Sequence, residues 1–411
     1  MDEMPTALPV KELHNLLQET LGPKMTIKSV VWKPLTNPGE NYGSLIYGID
    51  ATITKNNIAE VLNLVAKIPP PTEYLINLFN SPVSFWKELV FYKEIVPEFT
   101  KLQIESGIEP DKLLKFPLYY GGRLGLNDQN LFDEQAAIVL ENLNPKGYSM
   151  RDRLLGFDLE HTQLAIEELA KLHAVTIGLK LKDPEFFRDS VMPALVHVSN
   201  DSTMETIRDM LRQVHDTLKE LPEAKPYIDR INKTLRYDYE VDYRLLKPSE
   251  LWGTMVHGDY WSNNMLFKYD ENSKPISMKI IDFQLGYYGS GTKDLIFFLL
   301  SSVQDELLNK NLEDMLDYYY KSFINSLKSL KVDTEKFTRE GFDEEVKKSA
   351  PLKFGQCIGM TNVIQSARGI IKNMEDVGKD VTFSAIGNNI RVEKKLLHII
   401  QIFDKNRWLI D

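Results

Sequence analysis

The sequence of 411 residues holds a single cysteine, Cys357, so neither an internal disulfide nor a thiolate-built metal cluster can form. The lone thiol reads as a buried core group in a reducing compartment. A basic excess is also missing: the formal net charge is -10, which removes nucleic acid from the expected partners. No long apolar run is present. The longest, residues 295–300, falls far short of the about 20 residues that a bilayer span requires, so no membrane insertion is expected. The acidic start Met1-Asp2-Glu3-Met4-Pro5 carries neither a secretory signal nor a transit peptide, which points to a cytoplasmic protein. Internal repeats and low-complexity segments are lacking too.

What is present is the balance of a globular chain, 43% hydrophobic and 26% charged, long enough to bury a sizeable core. Its texture changes near residue 144, predicting an α+β molecule of two unequal lobes, 1–143 rich in strands and 144–411 mostly helical. Residues 25–32 and 43–54 read as strands around the turn Asn37-Pro38-Gly39-Glu40-Asn41, and residues 62–68 as a third, stopped by Pro69-Pro70-Pro71. A helix follows. Ser81 is its expected cap and Pro82 its first residue, while Phe85, Leu89, Tyr92 and Val96 form its apolar stripe before Pro97. Glu88 sits beside that stripe. Residues 116–121 and 136–140 read as two more strands, and Glu141 to Gly147 as a connector. Helices are predicted over 158–179, 203–219, 225–245, 292–302, 310–329 and 385–404. Between them, Met265-Leu266-Phe267 and Met278-Lys279-Ile280-Ile281 flank a polar turn and predict a hairpin.

Phosphoryl transfer asks for a divalent metal held against the phosphates, positive charge on the phosphate oxygens, and a carboxylate beside the attacking hydroxyl. The segment around the predicted hairpin offers such a set. His257-Gly258-Asp259 precedes it, Asn264 opens its first strand, and Asp282 closes its second. Pairing of the strands would bring Asn264 and Asp282 near Asp259. Asp259 is then placed to orient an acceptor hydroxyl and receive its proton, and the oxygens of Asn264 and Asp282 suit magnesium. An isolated His-Gly-Asp is usually an ordinary loop. The joint spacing with Asn264 and Asp282 carries the reading.

The run His257-Gly258-Asp259-Tyr260-Trp261-Ser262-Asn263-Asn264, followed by Ile281-Asp282-Phe283-Gln284, resembles the insect ecdysteroid kinase-like family. That family stands with the choline kinase- and aminoglycoside phosphotransferase-like kinases. The resemblance continues through Asn41-Tyr42-Gly43-Ser44, Phe85-Trp86-Lys87-Glu88, Leu140-Glu141-Asn142-Leu143, Leu169-Ala170-Lys171-Leu172-His173-Ala174, and Gly289-Ser290 with Asp294-Leu295. It implies a protein-kinase-like bilobal fold and a cytoplasmic enzyme with ATP and magnesium as cofactors. Lys67 would be the strand lysine on the α and β phosphates, and Glu88 its helical partner. The turn through Asn41, Tyr42, Gly43 and Ser44 would lie over the phosphates, and Glu141 to Leu143 would be the hinge beside adenine. His257 would prop the catalytic loop. Asp294 is expected to cap the helix that it begins and to brace that loop. His173 reads as a hydrogen-bonding residue between helix and loop rather than a catalyst. The acceptor pocket would lie between Asp259 and the helices after residue 310, with Trp261, Tyr287, Tyr288 and Phe354 as candidate walls.

The resemblance implies as acceptor an alcohol on an ecdysteroid, another steroid, or a xenobiotic compound detoxified by phosphorylation. Choline- or aminoglycoside-type transfer and a catalytically silent pseudokinase are the alternatives. A protein kinase is disfavoured: position 258 is Gly rather than Arg, and no peptide-binding activation segment fits between Asp282 and Asp294. A monomer is expected.

Overall fold

A computed structural model describes residues 8–36, 41–240, 250–365 and 390–411, without the side chains of Tyr239 and Glu240. The described chain is α+β, with an antiparallel sheet in its first third and helices dominating the rest. The sheet runs β1-β2-β3-β5-β4, from β1 (Thr26–Pro34), β2 (Leu45–Lys55), β3 (Ile58–Ile68), β4 (Tyr119–Arg123) and β5 (Ala137–Glu141). β2 and β3 join at Asn56 and Asn57, both at positive φ, a conformation that Asn tolerates better than most residues. This tight hairpin puts Leu45 opposite Ile68 and Ile46 opposite Lys67.

Each face of the sheet has its own cover. Leu13, Leu16 and Leu17 of the helix Leu13–Leu21 join Ile49, Ile53, Leu64 and Val139 in one apolar cluster. On the other face, Phe85 of the helix Ser81–Val90 packs with Ile138 and Leu140, and this second cluster runs on without a break into the helical part. The two lobes are therefore welded by apolar packing and not only by a connector.

The helix around Glu88 differs from expectation at both ends. Asn80, at φ 44, is the residue before the first turn, and Ser81 and Pro82 already lie inside the helix. At the far end Pro97 does not stop the chain. A π-helical turn, Phe91–Ile95, carries the helix on without a break, the Val96 N–H bonding back to the Phe91 carbonyl, and Pro97 is accommodated as the second residue of the stretch Val96–Glu105.

β6 (Tyr148–Met150), β8 (Met265–Tyr269) and β9 (Pro275–Ile280) form a three-stranded sheet, which confirms the hairpin predicted around the polar turn. β7 (Gly253–Val256) pairs with β10 (Tyr287–Ser290) just beyond it. The long helices Leu159–Lys182 and Asp305–Ser329 pack along one another and carry this small β platform. Asp158 caps the first of them through the His161 N–H. Within the described residues the remaining expected helices appear as Asp201–Glu220, Ile228–Glu240, Thr292–Ser302 and Ile390–Lys405. The earlier expectations for Asn37 to Glu40, 241–245 and 385–389 fall outside the described residues. Cys357 is buried as expected, and burial pushes its thiol up to about 12. Among the described residues no helix is long and apolar enough to cross a membrane.

Candidate active site

Two strand ends and one helix converge on a buried charge cluster. Lys67, near the end of β3, is 5% exposed, and its ammonium donates to Glu88 Oε2 at 2.5 Å and to Asp282 Oδ1 at 2.9 Å. Burial pushes the Lys67 pKa down, but the Asp282 and Glu88 carboxylates more than offset it and hold it above its ordinary value. Burial acts oppositely on Glu88, whose carboxyl is raised despite the neighbouring lysine. Asp282 follows β9 with φ 68, in the left-handed region that side chains rarely adopt. That turn lets its carboxylate meet Lys67 across 215 residues of chain.

The loop from His257 to Asn264 lies on the other side of Asp282. Asn264 Nδ2 donates to the Asp259 carbonyl at 2.8 Å and to Asp259 Oδ2 at 2.9 Å, while its own backbone carbonyl accepts from the Ile281 N–H at 3.1 Å. Asn264 thus ties Asp259 to the end of β9. The Asp259 pKa is raised to about 7, chiefly by burial and then by the Asp282 charge, against the opposing pull of Trp261, Asn264 and Lys353. The Trp261 indole N–H has no hydrogen-bond partner but lies close enough to act on that carboxylate.

The loop is braced from behind. Asp294 accepts the His257 N–H at 2.6 Å and the Gly258 N–H at 3.0 Å, and His173 Nε2 stands 3.2 Å away with Tyr319 on its other nitrogen at 2.7 Å. Burial alone would raise the Asp294 carboxyl, yet His173 and His257 hold it below the usual range. The expected bracing by Asp294 is present, and the expected capping is not: it is the third residue of its helix, and its oxygens are spent on the loop. His257 is kept neutral chiefly by burial. Its Nε2–H donates to the Ile281 carbonyl at 3.0 Å and its Nδ1 accepts the Asp259 N–H at 3.3 Å, so it is a prop with no proton to exchange at the loop's open side.

In the turn expected to cover the phosphates, Asn41 Oδ1 accepts the Gly43 N–H at 3.1 Å and Asn41 Nδ2 donates to Ser44 Oγ at 3.0 Å. Gly43 is packed so closely on Gln284 that a Cβ there would meet its Nε2 at 2.9 Å. The turn through Asn41, Tyr42, Gly43 and Ser44 therefore lies against the segment that follows Asp282. Glu141 ends β5 and pairs with Lys146, and the Leu143 carbonyl accepts from Lys146 N at 3.0 Å and Tyr148 N at 3.2 Å. Among the expected acceptor walls, Trp261 and Tyr287 are each 7% exposed, whereas Phe354 is fully buried against Phe403 and presents no free face. Tyr288 is held by Lys180 at 3.1 Å.

The sequence reading missed three residues. Lys87, 2% exposed, donates to the Val196 carbonyl at 2.5 Å and to the Gly286 carbonyl, pinning the Glu88 helix to the segment after Asp282. Its position in Phe85-Trp86-Lys87-Glu88 was the available signal. Lys353 and Gln356, described below, had none.

A family model described as the ecdysteroid kinase-like family matches residues 38–332. The chain belongs to the ecdysteroid kinase-like family. It is accordingly a phosphotransferase that acts on the hydroxyl group of a small molecule. Comparison with curated proteins gives no match. Among solved structures this family member is similar to a choline kinase from Cryptosporidium parvum Iowa II, with 10% identity, 97% of this chain and 94% of that one covered, and a TM-score of 0.44. It is also similar to a Plasmodium vivax ethanolamine kinase, with 10% identity, 92% and 84% covered, and a TM-score of 0.42.

Proposed function

We propose that this ecdysteroid kinase-like protein moves the terminal phosphate of ATP to an alcohol of an ecdysteroid, another steroid or a xenobiotic compound. The observation that carries the reading is the convergence of Lys67, Glu88 and Asp282 on one side with Asp259 and Asn264 on the other. Lys67 would contact the α and β phosphates, steadied by Glu88. Backbone groups of Asn41, Tyr42, Gly43 and Ser44 would cover them, and the Glu141 to Leu143 stretch would border adenine. These roles divide the chain into lobes 1–143 and 144–411, with the nucleotide between them.

The donor set fits magnesium. Asn264 spends only its Nδ2 on Asp259 and Asp282 commits Oδ1 to Lys67, which leaves Asn264 Oδ1 and Asp282 Oδ2 as hard oxygen donors. Among the described residues no group of three or more His, Cys, Asp or Glu could hold a metal. Two protein oxygens, completed by substrate phosphates and water, suit magnesium better than an all-protein cage. The ion, when bound, would neutralise phosphate charge. Asp259 would hold the acceptor hydroxyl and take its proton as that oxygen attacks. Trp261 and Tyr287 would line the acceptor side. A cytoplasmic monomer is the proposed working form.

The test begins with magnesium-dependent ATP binding, followed by transfer of radiolabelled phosphate to steroid alcohols, phenolic glycosides, choline and aminoglycosides. Labelling of the steroid or phenolic alcohols is expected, with Asp259→Asn and Asp282→Asn both losing turnover. Labelling of choline or an aminoglycoside alone would overturn the acceptor class. Unchanged turnover in both variants would overturn the residue roles.

A further inference from the structure

Beside the catalytic loop stand two buried lysines to which the roles above give no work. Lys293, in the helix Thr292–Ser302, and Lys353, just ahead of the helix Phe354–Gly359, are each 6% exposed. Each ammonium lies 5.4 Å from the centre of the Tyr287 ring. Buried ammonium groups are normally paired with a carboxylate, since desolvation without an anion is costly. Among the described residues neither lysine makes an ion pair within 4.0 Å, although Asp238 acts on both through space. The pair is therefore cationic charge stored without a contacting anion.

Lys353 is also held in register with the loop. Its Nζ donates to Gln356 Oε1 at 2.5 Å, and Gln356 Nε2 donates to the Gly258 carbonyl at 2.8 Å, the peptide group that leads into Asp259. Its positive charge reaches the Asp259 carboxylate. On the nucleotide side Lys67 is committed to Glu88 and Asp282. A phosphoryl group in flight spreads negative charge over its three equatorial oxygens, and those oxygens pass Asp259 at the moment the acceptor takes them. Lys353, tied through Gln356 to the peptide that leads into Asp259, is a cation that no carboxylate within 4.0 Å claims among the described residues.

We propose that Lys353 is a further catalytic residue, whose ammonium, set by Gln356 against the Gly258 carbonyl, binds the phosphoryl oxygens as they move to the acceptor. Lys293 and Tyr287 shape the same anion site. This rests on the phosphotransfer reading. In the step, the bond between the terminal phosphorus and its bridging oxygen breaks with the electron pair leaving on ADP. The acceptor oxygen bonds to phosphorus, and its proton passes to Asp259. Lys353 gains and loses nothing.

The test uses the full chain with MgADP alone and with MgADP plus aluminium fluoride, which mimics the group in flight. Lys353→Met is expected to bind MgADP as the wild type does and to lose about 10²–10³-fold in trapping of the fluoride complex and in ATP turnover. Lys353→Arg should recover part of the loss, and Gln356→Leu should lose about tenfold with MgADP binding intact, because the ammonium is no longer held. Trapping and turnover unchanged in K353M overturn the proposal. If K353M fails to bind MgADP because it does not fold, Q356L decides, and unchanged trapping there overturns it equally. Absence of magnesium-dependent ADP binding by the wild type overturns the phosphotransfer reading, and this proposal with it.

Discussion

Replacing Gly258 with alanine probes whether the loop from His257 to Asn264 is shaped by its surroundings. Gly258 has φ +83, and a Cβ built there would lie 2.6 Å from the Leu285 carbonyl oxygen. An L-residue in left-handed backbone costs about 1–2 kcal/mol. The contact is backbone against side chain, so no rotamer change relieves it. Carbon and oxygen pack at about 3.3–3.6 Å even in a favourable C–H···O contact, so the loop or Leu285 must yield by most of an ångström. The loop cannot yield cheaply: the Gly258 N–H is bonded to Asp294 at 3.0 Å and its carbonyl to Gln356 at 2.8 Å. Losing a hydrogen bond to a charged group costs about 1.5–3 kcal/mol.

Alanine returns about 0.4–1 kcal/mol by stiffening the unfolded chain. The net expectation is a loss of about 2–4 kcal/mol in equilibrium urea unfolding, together with about 10²-fold in turnover as Asp259 shifts against Asn264. A variant within about 0.5 kcal/mol of the wild type, with turnover intact, would refute the claim that the loop is held rigidly by its neighbours.

Two further substitutions read the buried lysines near Glu88. Lys67→Met leaves Glu88 buried without its cation and should cost about 3–5 kcal/mol near neutral pH. Burial already raises Glu88 to about 7 beside Lys67 and loss of the cation raises it further, so the variant's folded state holds the proton to higher pH; the loss should therefore grow as pH rises above about 7, and a pH-independent loss in urea unfolding between about pH 7 and about pH 9 would contradict this. Lys87, lowered by burial to about 7, binds fewer protons folded than unfolded between that value and its ordinary 10.5. The stability of wild type relative to Lys87→Met should therefore rise with pH above about 7, by up to about 1.4 kcal/mol per unit, and a flat difference between about pH 7 and about pH 9 would contradict it.

What was legible in the sequence follows from what is local. The β8–β9 hairpin, the three strands up to Lys67 and the Asp158 to Leu179 helix carry their own periodicity and punctuation, so they read correctly to within a few residues. Asn264 and Asp282 were legible as partners of Asp259 because the hairpin between them fixes their separation. The Pro97 boundary misled because proline usually ends a helix, and nothing nearby announces the π-helical turn just ahead of it through which the helix continues. Asp294 looked like a cap from its position alone. The N–H groups it serves lie 36 and 37 residues away, beyond any local pattern. Lys87 and Gln356 act across 199 and 98 residues, and no spacing rule reaches so far.

The same distance explains why the loop can hold its unusual backbone. Gly258 and Asp282 both sit at positive φ, and conformations of that kind persist when the surroundings over-determine them. Here the surroundings are three separate elements: the helix Thr292–Ser302, the end of β9 and the helix Phe354–Gly359. Asp294 fixes two loop N–H groups, Ile281 takes the His257 ring, Ser302 Oγ accepts the Ser262 N–H at 3.0 Å, and Gln356 holds the Gly258 carbonyl. These elements are well separated along the chain, so the loop's shape is a property of the assembled fold. A carboxylate placed in this way, as Asp259 is, needs no local rigidity of its own. The motif supplies the chemistry, and the helices behind it supply the geometry.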